Sequence, residues 1–443
     1  MYGPWALADA AWVSLSSGQE NHRAPATTRD LAQIVGYHLA LDDPVRHQEP
    51  GDRLDRYLLR ISGQQFSWQV DDYAELARTI ALLAHTTPGR DLEVIKPGWD
   101  QDLFGCSLAD YVGLTRLIWG AVTQHPVLEL RGRFHPGWAA GSGIDEFGSL
   151  ATPEEVTAVL ERHFVTTARR LQGTLPVTDD PLLRRYKPNP LRSRPLVGGY
   201  GDGYLVPVNN AVLGKASPLG VLHAAVEARG QAVTRDYGEL LEQYVGRHLR
   251  LLPDADVHPE ISYKEGTQNL KGIDWIVVFP NLVLLVEVKS ARPTTGLWLG
   301  LDNFAATLNS RLGHAFKQIE KSAGLIADRH TAFAHIPTDR PVLGMVITLE
   351  PFHLINTPKL RASFPAITTP VTISSIHELE QAVTITDTSL ASVLLGRTDK
   401  GGASLRDLFS GHEFSDHNPI LEKAWSAIPM PGSGLKTRQY GGT

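Results

Sequence analysis

The segment GIDWIVVFPNLVLLVEVKS, residues 272–290, decides the fold because it joins two apolar runs through a central Pro-Asn pair. Apolar runs of this length, bounded by turn residues, predict two buried β-strands in a hairpin. Asp274 and Glu287 are equally distant from the central pair, so an antiparallel hairpin would place them opposite each other, with Cβ atoms about 4.5–5.5 Å apart. Lys289 lies two residues beyond Glu287 and shares its face. The pattern predicts three ionisable groups at one end of a buried hairpin.

The turn of this hairpin restricts its geometry. A two-residue type I′ turn needs positive φ at both central residues, and Pro280 cannot adopt it. We expect a slightly longer loop with the same centre, which preserves the pairing of Asp274 with Glu287.

Two adjacent carboxylates favour a metal ion. They repel each other, which raises the pKa of one of them unless a cation lies between them. Mg²⁺ prefers oxygen ligands such as carboxylates, water and substrate phosphates. A neighbouring lysine can orient or activate water, or stabilise negative charge on a phosphate. The trio therefore predicts phosphodiester cleavage. The alternative is a carboxylate–lysine pair at a strand end, which explains neither the opposed carboxylates nor the polar face of the following helix.

The elements around the hairpin predict an α/β fold. A helix at 235–252, a strand at 257–264, the two hairpin strands, a helix at 302–329 and a strand at 341–350 follow in order. This α-β-β-β-α-β order predicts a mixed sheet between helices. The second helix has a polar and an apolar face, which comprise Arg311, His314, Gln318 and Lys321, and Leu312, Phe316, Ile319, Ala323 and Ile326.

Residues 233–350 resemble the PD-(D/E)XK nuclease superfamily, whose members share a restriction-endonuclease-like core. The resemblance rests on Gly-Ile-Asp274-Trp, the hydrophobic strand after it, and Glu287-Val-Lys289. It implies that Asp274 and Glu287 bind metal together with the Val288 carbonyl, and that Lys289 belongs to the catalytic set. The proline that names the motif is absent, since isoleucine precedes Asp274.

The flanking helices extend this resemblance. Glu242 follows Gly-x-x-Leu and resembles the first-helix glutamate that binds metal or water in many members; Glu239, one turn earlier, is the competing candidate. Gln318 resembles the second-helix glutamine of several subfamilies. Ser322 stands where one of those subfamilies has tyrosine, so the subfamily stays open.

The resemblance implies a nuclease that cuts DNA with Mg²⁺, for which Mn²⁺ can substitute; RNA stays an open substrate. A homodimer would allow both strands to be cut. By analogy, an unfamiliar domain beside such a nuclease suggests restriction or phage defence, triggered by a nucleic acid, a partner protein or a phage-derived molecule. One alternative is a catalytically silent nucleic-acid-binding or adaptor protein. Another is an enzyme for a small phosphorylated molecule, which should have an enclosed pocket.

The length of 443 residues predicts more than one domain. The expected units are a mainly α-helical N-terminal recognition domain, a Pro/Gly-rich connector, the nuclease domain, and a short helical extension with a flexible tail, at 1–175, 176–230, 231–400 and 401–443. Amphipathic helices are predicted at 70–86, 107–122 and 151–172, and a strand at 53–70.

Composition restricts the protein class. The net charge of −6 argues against coating nucleic acid by bulk electrostatics. The single cysteine, Cys106, excludes an internal disulfide framework and fits a reducing compartment. The N-terminus has no basic leader region and no apolar run approaches about 18 residues, so we expect a cytoplasmic protein without a membrane span. Basic residues concentrate at 169–195, which we interpret as a solvated linker, with a phosphate-contacting patch as the alternative.

Overall fold

The structure is a computed structural model, and it describes residues 3–17, 27–40, 53–68, 71–124, 127–129, 153–174, 183, 186–200, 203–301, 304–396 and 405–429. The helices up to residue 229 are α1 Pro4–Ser17, α2 Thr28–Ala40, α3 Arg53–Gln65, α4 Asp72–Leu83, α5 Trp99–Phe104, α6 Leu108–Gln124, α7 Pro153–His163, α8 Ala168–Gln172, α9 Pro190–Ser193, α10 Asn210–Leu213 and α11 Pro218–Arg229. The later helices are α12 Ala232–Leu249, α13 Thr295–Trp298, α14 Phe304–Ala327, α15 Pro358–Arg361, α16 Ile376–Ala382, α17 Leu390–Leu395, α18 Leu405–Leu408 and α19 Pro419–Trp425. The strands are β1 Val127–Glu129, β2 Val165–Thr167, β3 Leu196–Tyr200, β4 Gly203–Leu205, β5 Asp256–Pro259, β6 Ser262–Glu265, β7 Gln268–Lys271, β8 Trp275–Phe279, β9 Leu282–Lys289, β10 Val342–Thr348 and β11 Val371–Ser375.

A five-stranded sheet in the order β11-β10-β9-β8-β5 holds the hairpin at its centre. β10 runs parallel to both β9 and β11, whereas β8 is antiparallel to β9 and to β5, so the predicted mixed sheet is confirmed. Alternate residues of β9 enter different cores because successive side chains point to opposite faces. Leu284 and Val286 pack in the core that contains α12, and Val283 and Leu285 pack in the core that contains α14.

The strand predicted at 257–264 is wrong as a single element. β5 ends at Pro259, and β6 pairs with β7 in a separate two-stranded sheet. Proline has no N–H to donate to a ladder, which accounts for the end of β5 at this residue.

Two predictions in the N-terminal half are also wrong. The strand predicted at 53–70 forms α3, whose leucine and arginine residues favour helix, and Leu59 and Arg60 are buried. Arg60 Nη1 donates to the Leu299 carbonyl at 3.1 Å, so contacts distant in sequence decide this element. The helix predicted at 151–172 is interrupted by β2, where the β-branched run Val-Thr-Thr favours strand. β2 belongs to a four-stranded sheet with order β1-β4-β3-β2.

The largest buried cluster crosses the predicted domain boundaries. It extends from Leu76 in α4 through α12 and the central sheet to Ile428. Arg78 Nε and Nη2 donate to the two carboxylate oxygens of Glu380 at 2.7 and 2.6 Å, and the Tyr244 hydroxyl donates to the same carboxylate. A buried ion pair thus joins α4 to α16 and α12. The domain division itself stays a prediction.

The structure bears on three further predictions, which concern the membrane span, Cys106 and the C-terminal extension. None of the described helices has both the length and the apolarity to cross a bilayer. Cys106 is a free, half-buried thiol, and burial raises its pKa to about 12. Residues 405–429 contain two short helices, whereas 401–404 and 430–443 of the predicted extension and tail lie outside the described residues.

Candidate functional site

The hairpin has the predicted register. Trp275 pairs with Val286, and continuing the ladder by one residue places Asp274 opposite Glu287. The loop is shorter than expected, since Phe279 pairs directly with Leu282 and only Pro-Asn intervenes. Neither residue of this turn has a positive φ, so a two-residue connection forms without the type I′ geometry that proline forbids.

Asp274 is fixed across the hairpin by the backbone of β9. Its Oδ2 atom accepts the Val288 N–H at 2.7 Å. Burial raises the pKa of Asp274 to about 6, against the effects of the Val288 N–H and the Lys289 ammonium, which favour the charged form. The carboxyl is therefore oriented by the fold while its charge is only partly compensated.

Glu287 is the most buried member of the site, at 1% exposed. Its Oε1 accepts a hydrogen bond from Lys289 Nζ, and its Oε2 is buried without a partner in the part of the chain that the structure describes. Burial, followed by repulsion from Asp274, raises the pKa of Glu287 to about 7, and the Lys289 ammonium and the Asp274 backbone N–H oppose this effect. One oxygen of a buried carboxyl is thus left for a ligand that the chain does not supply.

Lys289 connects the hairpin to α14. Its ammonium donates to Glu287 Oε1 and lies 3.3 Å from Gln318 Oε1. The lysine side chain is 27% exposed, so it reaches the surface where a substrate could approach. The predicted faces of α14 are confirmed, because Arg311 and His314 are exposed while Leu312, Phe316, Ile319 and Ile326 are buried.

Glu242 approaches from α12. Trp275 Nε1 donates to the Glu242 carbonyl at 3.1 Å, and Gly246 permits this contact, because a Cβ there would lie 2.2 Å from the indole ring. Burial, then repulsion from Asp274, raises the pKa of Glu242 to about 8. The competing candidate, Glu239, is engaged elsewhere, since its carboxylate accepts the Gly89 N–H at 2.7 Å.

The site suits a hard cation in its donor chemistry, although its ligand set is small. Among the described residues, no group of three or more His, Cys, Asp or Glu side chains is placed to hold a metal ion. The structure therefore brings Asp274, Glu287, Lys289 and Gln318 together, but Glu242 does not join them in a preformed cluster. The unpartnered oxygen of Glu287 and the raised pKa values of both hairpin carboxyls are the features that a divalent cation would relieve. The Val288 carbonyl stays a predicted ligand.

An ion pair next to the site was missed by sequence reasoning. Lys271 Nζ donates to Glu260 Oε2 at 2.6 Å. Both groups act on the Asp274 carboxyl, Glu260 raising its pKa and Lys271 lowering it. Lys271 precedes Asp274 by only three residues, and this short distance in the sequence is the feature that could have pointed to it.

Comparison of the chain with protein-family models, curated proteins and solved structures finds no match. The geometry of the site is therefore the basis for its interpretation.

Proposed function

We propose that this protein is a divalent-metal-dependent nuclease that hydrolyses DNA phosphodiester bonds, built on a restriction-endonuclease-like core. The supporting observation is the pair of opposed, buried carboxyls of Asp274 and Glu287 with the Lys289 ammonium beside them. A structural ion pair needs one carboxylate for one lysine. Here a second carboxyl is buried next to the first, and Glu287 Oε2 has no hydrogen-bond partner in the described part of the chain.

Mg²⁺, or Mn²⁺ in its place, would be held by Asp274, Glu287 and the Val288 carbonyl. A bound divalent cation polarises the scissile phosphate and lowers the pKa of an attacking water. The Val288 N–H keeps one Asp274 oxygen in place, and the other oxygen of that carboxylate would be available to the ligand. Cation binding would favour the ionised form of both carboxyls, whose pKa values lie near neutrality in its absence.

Lys289 has the position of a water-orienting or charge-stabilising group. Its ammonium is hydrogen-bonded to Glu287 and to Gln318. These two contacts restrict the side-chain conformation and hold the ammonium at the end of the hairpin. Once Glu287 binds a cation, the ammonium is free to donate to the attacking water or to a phosphate oxygen. Glu242, whose raised pKa keeps most of it protonated at pH 7, can hydrogen-bond a water at the edge of the site.

The direct test is cleavage of supercoiled plasmid, single-stranded DNA and RNA by the full chain with Mg²⁺, Mn²⁺ or EDTA. We expect metal-dependent cutting of DNA that falls about 100-fold or more in Asp274→Asn and in Lys289→Met. Lys423→Met is the matched control, because it removes an exposed lysine of α19, outside the hairpin and the two helices that form the site, and should leave cutting unchanged. Cutting that persists in both site variants would refute the assignment.

A role in restriction or phage defence, with a homodimer that cuts both strands and a trigger read by the N-terminal half, belongs to the same proposal. An untriggered effector would cut nothing in the assay above. Calcium binding then distinguishes an untriggered nuclease from a silent adaptor. A calcium-induced rise in melting temperature that is lost in Asp274→Asn indicates a competent metal site in a protein that awaits its trigger. No rise in the wild type favours the catalytically silent adaptor.

A further inference from the structure

A cavity of about 370 Å³ lies in the N-terminal half, between β2, α8, α9 and α11. Its volume is within the range of about 300–1,000 Å³ that is typical of small-molecule sites. Neither the hairpin carboxyls nor Lys289 contribute to its walls, so it is a separate feature from the candidate metal site. Its polar lining includes Thr166, Arg170, Ser193, Arg194, Lys215 and Glu227.

Lys215 is the unusual residue of this lining. It is only 9% exposed, and within the described ranges no hydrogen-bond acceptor or carboxylate is paired with its ammonium. The ammonium lies 6.0 Å from the centre of the Phe164 ring, which is a weak partner for a buried charge. Burial lowers the pKa of Lys215 to about 8, so the side chain is still mostly charged at pH 7. Glu227 raises the pKa of this ammonium through space but is paired with Arg194. A largely buried ammonium without a paired anion is costly to the fold, and a ligand that supplies the anion would reduce that cost.

The other charged residues of the cavity add a further excess of positive charge. Arg170 and Arg194 add two guanidinium groups, and Glu227 is the single carboxylate among the described residues that line the cavity. Arg194 Nη2 lies 3.5 Å from Glu227 Oε1, and the Glu227 side chain is 75% exposed, so this carboxylate is directed toward solvent. Burial lowers the pKa of His163 to about 4, so that lining histidine is neutral at pH 7. Two positive charges are left without compensation.

We propose that this cavity binds a small phosphate-bearing anion, either inorganic phosphate or a phosphate monoester. A phosphate monoester carries a charge of about −1.5 to −2 at pH 7, which matches the uncompensated charge of the lining. Its oxygens accept from ammonium and guanidinium groups, and Thr166 and Ser193 offer hydroxyl donors in the same wall. A ligand with a single carboxylate would neutralise only half of that charge. This proposal is independent of the nuclease assignment, since it uses none of the residues of the hairpin.

The basic stretch 169–195 provides two of the cavity's cations, Arg170 and Arg194. The observed position of these residues supports the phosphate-contacting alternative for this part of the stretch. The third cation, Lys215, comes from the connector between α10 and α11, where its backbone carbonyl accepts the buried Tyr111 hydroxyl at 3.4 Å. Its main chain is therefore fixed by packing, and the site does not depend on a single segment.

Isothermal titration of the full chain with inorganic phosphate, adenosine 5′-monophosphate and adenosine, at ionic strength held constant with NaCl, tests the proposal. We expect saturable binding of phosphate or of the nucleotide and none of adenosine; which of the first two binds more tightly distinguishes the two sources of the anion. Lys215→Met keeps the length of the apolar stem and removes the charge, so binding should weaken at least about tenfold. Lys321→Met, distant from the cavity, should bind as the wild type does.

The same variant has a second readout that a merely structural lysine would not give. Since the buried charge is lost, Lys215→Met should melt at a higher temperature than the wild type without phosphate, and it should lose the phosphate-induced rise in melting temperature. Should Lys215→Met not fold, Arg170→Gln, an exposed position of the same lining, replaces it with the same expected loss of binding. Absence of saturable phosphate or nucleotide binding by the wild type, equal binding of adenosine, or unchanged binding in the cavity variants would overturn the proposal.

Discussion

Replacing Glu287 by glutamine tests the electrostatics of the candidate metal site without metal. Burial and the neighbouring Asp274 raise the pKa of Glu287 from its ordinary value of 4.5 to about 7. Because the folded-state pKa is above the unfolded-state value, ionisation of this carboxyl destabilises the fold. The penalty is absent below about pH 4.5, grows as the pH rises toward 7 and is constant above it. The difference between the two pKa values corresponds to about 3 kcal/mol.

Glu287→Gln keeps the shape of the side chain and a hydrogen-bond acceptor for Lys289 but removes the charge. In EDTA we expect the variant to exceed the wild type in free energy of unfolding by about 3 kcal/mol at pH 8, and by about 1 kcal/mol or less at pH 5. Urea denaturation at both pH values measures this difference. Glu265→Gln, which breaks an exposed pair, should stay within about 0.5 kcal/mol of the wild type at either pH.

Divalent metal should narrow this difference, because a cation stabilises ionised Glu287 and has less to bind in the variant. Millimolar Ca²⁺ should raise the stability of the wild type at pH 8 and leave that of Glu287→Gln nearly unchanged. A variant that is less stable than the wild type at pH 8 without metal, or a difference that is the same at pH 5 and pH 8, would refute the reasoning from burial and repulsion.

Two further substitutions test the support of the site. Gly246→Ala places a Cβ 2.2 Å from the Trp275 ring, so it should cost about 1–3 kcal/mol in urea denaturation; a loss below about 0.5 kcal/mol would contradict the close packing of α12 on β8. Arg78→Met leaves the buried Glu380 carboxylate without its two guanidinium hydrogen bonds and should cost about 3–5 kcal/mol; unchanged stability would show that this ion pair does not hold α4 to α16.

The hairpin and the faces of α14 could be predicted from the sequence because both depend on short repeats. A period of two fixes which strand residues share a face, and the symmetric distance of Asp274 and Glu287 from the turn fixes their pairing. The 3.6-residue period likewise fixes the face of α14 on which Gln318 lies, and Gln318 contacts Lys289. These relations require no knowledge of the rest of the molecule.

Other features depend on partners far along the chain, and local patterns did not contain them. α3 was predicted as a strand, and its helix is stabilised by contacts with residues near 299. The pairing of Arg78 with Glu380 joins residues separated by 302 positions. The approach of Glu242 to Asp274 likewise depends on how α12 packs against Trp275. Neither spacing nor composition predicts such contacts.

The candidate site differs from two other buried carboxylates of the same protein, Asp236 and Glu380, in a way that bears on its function. Asp236 is fully buried and accepts three backbone N–H groups at 2.6–3.0 Å, and Glu380 accepts two hydrogen bonds from Arg78. The fold thus satisfies these two carboxylates with its own donors. At the end of the hairpin it instead sets Glu287 against a second carboxyl, Asp274, and one Glu287 oxygen has no hydrogen-bond partner among the residues that the structure describes. This arrangement costs stability, whereas Asp236 and Glu380 have hydrogen-bond donors from the chain itself. Such a buried and unsatisfied group is expected where the missing partner is a ligand.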